Sequence, residues 1–491
     1  MIGMSAPRFR AFAALMVLAA CIIGPALAES CTINYPTTIY YNSTAPSNGV
    51  GGAIGAYDAL VRINGSTIEA IDSEGTPIAN GTAGTDDAAV FNAAINALGS
   101  GTTLAIGGGD YTPTSRILIN KSLDIIGIGN PRFTWNYAVA HYAMFSCSGS
   151  NGGLYALASD VAEGDRTLTY AGDLSSIIDA GDLITISDNT IWQPGSSGTY
   201  ATWKTGEIHM VRSVSYSNPT TTITLDDGLL HNFTTAQGAT MQHRIPITVN
   251  IDGITVAGDD PDRAIYLISC DYCKDGTFEG ITAERVGGYG ICFTSSYNML
   301  VTGSTFRDMT SGVSNLGYGV SVSNDCAYIT VTDSHFDNCG HGVTAGGTGP
   351  IGQPRDILVT DSSFIAGTSS AIDAHQITES MTVDGNTIGG VYIYGGILSG
   401  ARTSIIRNNK VWNTDTAIGP RGTVSNRTFI VQNNLIDNAE NGIFTNIGEP
   451  NSFDTLIITG NVFKRILTHD IDISVAIPPS AVIEDNVECS P

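Results

Sequence analysis

Asp373 and His375 stand two positions apart in the segment SAIDAHQ, an acid and an imidazole separated by one small residue. If that segment is a strand, alternation puts both side chains on one face, about 6.6 Å apart along it. A carboxylate beside an imidazole is the minimal equipment for moving a proton: the imidazole takes or gives it, and the carboxylate orients the ring. Arg421, Arg402 and Asn446 are the companions to consider. An arginine fork matches the two oxygens of a carboxylate, and an amide side chain can both donate and accept hydrogen bonds. The expected site is therefore catalytic through Asp373 and His375, and substrate-binding through Arg421, Arg402 and Asn446. Neither a metal nor a cofactor is expected.

The elements that hold these residues are read from a repeat. The segments VTGSTF (301–306), VTDSHF (331–336), VTDSSF (359–364), VDGNTI (383–388), IRNNKV (406–411), VQNNLI (431–436), ITGNVF (458–463) and IEDNV (483–487) share one pattern. Their polar marks Ser304, Ser334, Ser362, Asn386, Asn409, Asn434, Asn461 and Asn486 recur at intervals of 23 to 30 residues. β-Formers at that period, with no helical pattern between them, predict a solenoid with one coil per repeat. The marks are expected to stack as an amide ladder, each Asn tolerating a left-handed turn and bonding to the next. Solenoid stability then comes from the stack, since no single coil buries its apolar face alone.

A second register follows in each coil, centred on Ile291, Val320, Val343, Ile372, Ile397, Ile418, Ile443 and Ile471. With these pointing inward, one outward column reads Cys292, Ser321, Thr344, Asp373, Leu398, Gly419, Phe444 and Asp472. The next reads Thr294, Ser323, Gly346, His375, Gly400, Arg421, Asn446 and Ser474. Asp373, His375 and Arg421 interrupt columns that are otherwise mostly small or neutral. Arg421 falls two coils beyond His375, about 9.6 Å away. Gly346 and Gly400 are expected to leave a gap beside the imidazole. On this reading Asp373, His375 and Arg421 face solvent, and the bland alternative is a solvated outer face.

Upstream, Thr85-Asp86-Asp87 before AAVFNAAINAL predicts a helix capped by its acids, able to plug the open end of the solenoid. Residues 151–245 break the period and predict a β-rich insertion; Trp192 and Trp203 within it are expected in its core, with sugar stacking as the alternative. Asp226-Asp227 and Asp259-Asp260 read as turns. The organisation expected is a signal peptide over 1–28, an extension over 29–75, the capping helix and first coils over 76–150, the insertion over 151–245 and the main coils over 246–491.

The leader reading rests on Arg8 and Arg10, the apolar run Ala11 to Ile23, and Ala26-Leu27-Ala28 as a cleavage site. Leu18-Ala19-Ala20-Cys21 leaves a lipid anchor on Cys21 as the alternative. No other segment is long and apolar enough to form a membrane helix, so a secreted or surface-held protein is expected. Eight cysteines follow the leader, consistent with a compartment that permits disulfides, some paired and some buried. Asn42, Asn64, Asn80, Asn120, Asn232 and Asn426 are glycan acceptors if the host glycosylates. The net charge of −24 argues against nucleic acid as a partner; it leaves room for an anionic glycan bound by a local basic cluster.

The order GTDDAAVFNAAINAL, GGGDYTP, insertion, then Asn-marked coils resembles the pectate-lyase-like superfamily, in its rhamnogalacturonase-like and phage-tailspike-like branch. The likeness covers about residues 76 to 488. It implies an all-β, right-handed single-stranded parallel β-helix acting on extracellular polysaccharide, as a glycan lyase or glycoside hydrolase. The same scaffold also hosts non-catalytic carbohydrate-binding, adhesive or structural surface proteins. Proteins of this type often carry a D-x-H strand followed by an arginine in the next coil. Here that coil has Gly400 and then Arg402, which leaves open whether Arg402 or Arg421 takes the role. Gly340-His341-Gly342 resembles a fragment of the polygalacturonase motifs, but Asn324-Asp325-Cys326 is expected in a turn and not on the strand beneath. His341 is accordingly expected to be a turn residue.

Overall fold

The computed structural model describes residues 57–489, apart from 136–141, 193–201, 261–264, 311–315, 348–350, 391–393, 423–426, 445–451 and 474–476. The chain winds as a right-handed parallel β-helix of about 13 turns. One face is a 15-stranded sheet that begins with an antiparallel meander, Ala59–Asn64, Thr67–Asp72 and Pro77–Thr82. From Thr102–Gly107 onward its strands stack in parallel, coil upon coil, to Val482–Glu484. A 21-stranded sheet supplies the other two strands of each coil.

The strands of each coil send one to three apolar residues inward. Phe306, Phe336 and Phe364 stack with centroids 4.8 and 4.6 Å apart and nearly parallel rings. The second register pairs as the sequence spacing requires: Ile291, Val320, Val343, Ile372, Ile397, Ile418, Ile443 and Ile471 are successive partners. A one-residue slip would turn this whole file to the outside, so the apolar pattern pins the register.

The polar marks form the expected ladder, and all from Ser304 to Asn461 are buried. The backbone N–H groups of Asn386, Asn409 and Asn434 each donate to Oδ1 of the Asn one coil on, at 2.9, 2.9 and 3.0 Å. The left-handed backbone belongs to the preceding residue: Asn408, Asn433 and Asp485 have φ of 57°, 55° and 56°, and Gly385 and Gly460 fill the same place. The turn is thus divided between two positions. One residue tolerates positive φ, and the next turns its amide into the stack.

The helix Asp87–Ala97 covers the first coils, with Phe91 against Tyr111 and Phe133 at 5.3 Å each. The acids do not cap it in the expected way. Asp86 Oδ2 accepts from Thr82 N–H, while Asp87 accepts from the N–H groups of Gly84 and Thr112. Both therefore pin the entry loop, and no side chain caps the helix N-terminus. The insertion is a six-stranded antiparallel sheet, with strands from Ser150–Ala156 to Thr240–Ile245. It has its own core around Ile184, Ile186, Ile223 and Phe233. The helix resumes without losing register, because Ala143–Ser148 pairs directly with Tyr266–Asp271.

Candidate functional site

The outward face of the second register carries a groove of 560 Å³. Three files of side chains, set by strand pairing, form it. One is Tyr266, Tyr289 and Tyr318, continued beneath the surface by the buried His341 and Ser370. The floor is Ser269, Cys292, Ser321 and Thr344, with the buried Asp373 next in that file, and the third file is Asp271, Thr294, Ser323 and Gly346, with His375 next in line. Tyr266, Tyr289 and Tyr318 stack at 4.4 and 5.3 Å, so their phenol edges, not their faces, meet the groove. Trp203 adds a wall from the insertion. His375 lines one end.

At that end, one carboxylate gathers three cations or potential cations. Asp373 Oδ2 lies 3.0 Å from His375 Nε2 and 3.7 Å from His341 Nε2, and accepts from Arg421 Nη1. Burial alone would raise the Asp373 pKa, but His375, Arg421 and His341 together hold it well below the usual carboxylate range. It is ionised at any working pH. Burial pushes the His341 pKa down against the pull of Asp373. His375 remains a quarter exposed at its side chain, and so can meet a ligand.

The structure brings Asp373, His375 and Arg421 together, as the columns required, but corrects their surroundings. Asp373 is fully buried and not a solvated outer residue, because its neighbours close over it. The glycines do not leave a gap. A Cβ at Gly346 would lie 3.0 Å from His375 Cβ, and one at Gly400 would meet Gln376 N, Ala374 O and Arg421 O at 2.8 to 2.9 Å. They are small because the imidazole and the backbone already fill that space. His341 is not a turn residue: the strand His335–Gly346 carries it into the cluster. Its place between Tyr318 and Ser370 in the first file was the available signal.

Arg402 goes elsewhere, over the Trp192 ring at 4.9 Å and 3.9 Å from Glu379. Trp192 and Trp203 pack on Ile377, two residues past His375, and the Trp192 indole donates to Gln376 O at 3.2 Å. They are core residues of the seam between insertion and coils, and only Trp203 also reaches the groove. Asn446 lies outside the described residues.

With this geometry in hand, the chain can be set beside known proteins. Residues 318–472 match the family described as right handed beta helix region. Residues 154–244 match the Rider domain of K1 capsule-specific polysaccharide lyase. The capsule K1-specific depolymerase of Klebsiella phage K64-1 is 26% identical over 170 residues, which is 32% of this chain and only 18% of that protein. The tailspike of Pseudomonas phage phi297 superposes with TM-score 0.55 at 13% identity, and that of Pseudomonas phage LKA1 with 0.52 at 17%; each match covers 82% of this chain and 73% of the other. The tailspike of Acinetobacter baumannii bacteriophage AP22, solved with a capsular saccharide, gives 0.50 at 14%, over 86% and 78%. The chain shares the right-handed β-helix fold of these tailspikes.

In this β-helix protein the Rider-like sheet is bolted to the coils by a buried polar network that sequence reading took for a turn. Asp226 and Asp227 do sit in a bend, but Asp227 binds His209 Nδ1, Tyr328 Oη at 2.5 Å and Arg355 at 3.1 Å. His209 Nε2 lies 3.0 Å from Glu207, and Asp226 accepts from Tyr297. His209, Asp226 and Asp227 bring ligand-type atoms within 4.8 Å of one another, yet each is engaged by these partners, so the cluster reads as a joint. Six cysteines (147, 270, 273, 292, 326 and 339) are buried free thiols.

Proposed function

We propose that this protein cleaves an acidic extracellular polysaccharide bound along the groove, and that it does so by elimination. The observation that carries the reading is the single buried, ionised carboxylate flanked by imidazoles and a guanidinium at the end of a sugar-sized groove. Paired-carboxyl glycoside hydrolysis needs two such groups about 5 to 10 Å apart. The acid that lines the groove, Asp271, is four coil steps from Asp373, about 19 Å. Elimination needs a base for the proton α to the sugar carboxylate and a cation near that carboxylate. His375, with Nε2–H donating to Asp373, keeps Nδ1 as the base. Arg421 supplies positive charge at the same end.

The match to a capsule lyase's Rider domain and to a capsule depolymerase supports a capsule-type substrate. The reading includes export, through the leader-like residues 1–28. It is tested by incubating the protein with uronate-containing and neutral polysaccharides, while following both unsaturated and reducing ends. Unsaturated ends that vanish in His375→Ala are expected. Reducing ends alone would point to hydrolysis, and retention of a glycan without cleavage would favour the non-catalytic binding role.

A further inference from the structure

The two imidazoles beside Asp373 are held in opposite protonation patterns. His341 Nδ1 lies 2.9 Å from the Ser370 carbonyl oxygen. A carbonyl only accepts, so Nδ1 carries the proton. In the neutral ring Nε2 is then a bare lone pair, 3.3 Å from Ser369 Oγ and 3.7 Å from Asp373 Oδ2. The hydroxyl can donate to it and the carboxylate cannot. His375 is the reverse, with Nε2 the atom facing Asp373. Asp373 Oδ1 is buried without a hydrogen-bond partner among the described residues, so the whole load falls on Oδ2.

We propose that His341 is a positioning residue for His375, acting through Asp373 as a donor that is withheld until the ring is protonated. While neutral, it accepts from Ser369 and leaves Oδ2 to His375 and Arg421. Once charged, its new Nε2–H turns to the carboxylate and competes with His375 for the same oxygen, so the candidate base loses its anchor on the acid side. The inference rests on the reading of His375 as the base.

The groups facing His341 are Ser369, Ser370 and Asp373 from the strand Ser363–Ala374, the Tyr318 ring at 4.8 Å from the preceding coil, and Arg421 and His375 beyond the carboxylate. Asp373 favours the charged ring. Burial, Arg421 and His375 oppose it, and burial is the largest influence, so the ring is neutral over the upper pH range.

Nitrogen NMR of the full chain with ¹⁵N-labelled histidine tests this directly, with assignments from His341→Gln and His375→Gln. Expected above neutral pH is His341 protonated at Nδ1 and bare at Nε2. On acidification, the charging of His341 should bring a second shift in the His375 Nε2 signal, and His341→Gln should lack that step. Ser369→Ala should raise the His341 midpoint by roughly half to one pH unit, because the neutral ring loses its donor. A neutral His341 protonated at Nε2, a second step that persists in His341→Gln, or an unmoved or lowered midpoint in Ser369→Ala would each overturn the proposal. If His341→Gln does not fold, the wild-type tautomer and Ser369→Ala decide it. These signals report the rings themselves, so the outcome is independent of whether any glycan is cleaved.

Discussion

Replacing Asn434 by leucine tests the amide ladder where its connections are densest. Asn434 Oδ1 accepts from Asn409 N–H at 2.9 Å and Asn409 Nδ2 at 3.0 Å, and its Nδ2 donates to Ile406 O and Asn461 Oδ1 at 3.0 and 2.9 Å. Leucine has the same number and branching of side-chain heavy atoms, though it is bulkier, and it has none of these polar groups. Two buried backbone groups, Asn409 N–H and Ile406 C=O, lose these side-chain partners. The amide of Asn409 keeps its bonds to Val383 O and Arg407 O, and Asn461 Oδ1 still accepts from the backbone N–H of residue 434. At about 1–3 kcal/mol per orphaned group, less a fraction returned by burying a more apolar side chain, the net cost is about 2–4 kcal/mol. Urea unfolding should show a lower midpoint, and hydrogen exchange at the Asn409 amide should accelerate more than at amides several coils away, because a solenoid couples mainly to nearest neighbours. An unchanged midpoint with a protected Asn409 amide would refute the claim that side-chain amides, and not the apolar files alone, hold the coils in register.

Four further outcomes follow from the site. His375→Ala should lower turnover by about 10²–10⁴-fold with the fold intact by circular dichroism. Arg421→Ala should cost about 3 kcal/mol in urea unfolding as well as weakening substrate binding, since it removes a counter-ion from the fully buried Asp373; this replaces the expectation of a purely surface role. Gly346→Ala should keep the fold yet reduce cleavage by about tenfold or more, because the added methyl would meet His375 Cβ at 3.0 Å and push the imidazole off Asp373. Asp373 has a depressed folded-state pKa, so its stabilising contribution is present above its unfolded value near 4 and is lost as pH falls toward the folded value. Acid titration of stability should therefore be shallower below about pH 4 in Asp373→Asn than in the wild type, and equal slopes would contradict the buried ion cluster.

Periodicity made most of the scaffold legible, and the reason is geometric. In a parallel solenoid, residues one coil apart are also neighbours in space, so spacing in the chain becomes contact in the structure. That is why Asp373, His375 and Arg421 could be aligned from columns alone. Columns give direction but not depth. They placed Asp373 outward, yet could not show that His341 and Arg421 would close over it. They also assigned the glycines to empty space, when Gly346 and Gly400 are small because other atoms already crowd them. The seam with the insertion was illegible for a different reason. Asp227 meets Arg355 across 128 positions that share no repeat, so no spacing rule connects them.

The same contrast explains how the site is built. His375 and Asp373 are fixed by the coil stack, whose register is set by buried apolar files and the amide ladder. The segment just beyond them, Gln376 and Ile377, is clamped from outside by Trp192 and Trp203 of the insertion. The imidazole therefore sits between a repeating element that dictates its direction and a non-repeating one that limits its movement. A groove floored by small residues such as Ser269, Ser321 and Thr344 can vary in its walls without disturbing that dyad. On the proposed function, substrate choice is left to the tyrosine file and the insertion, while Asp373 and His375 stay where the solenoid cannot misplace them by less than a full register slip.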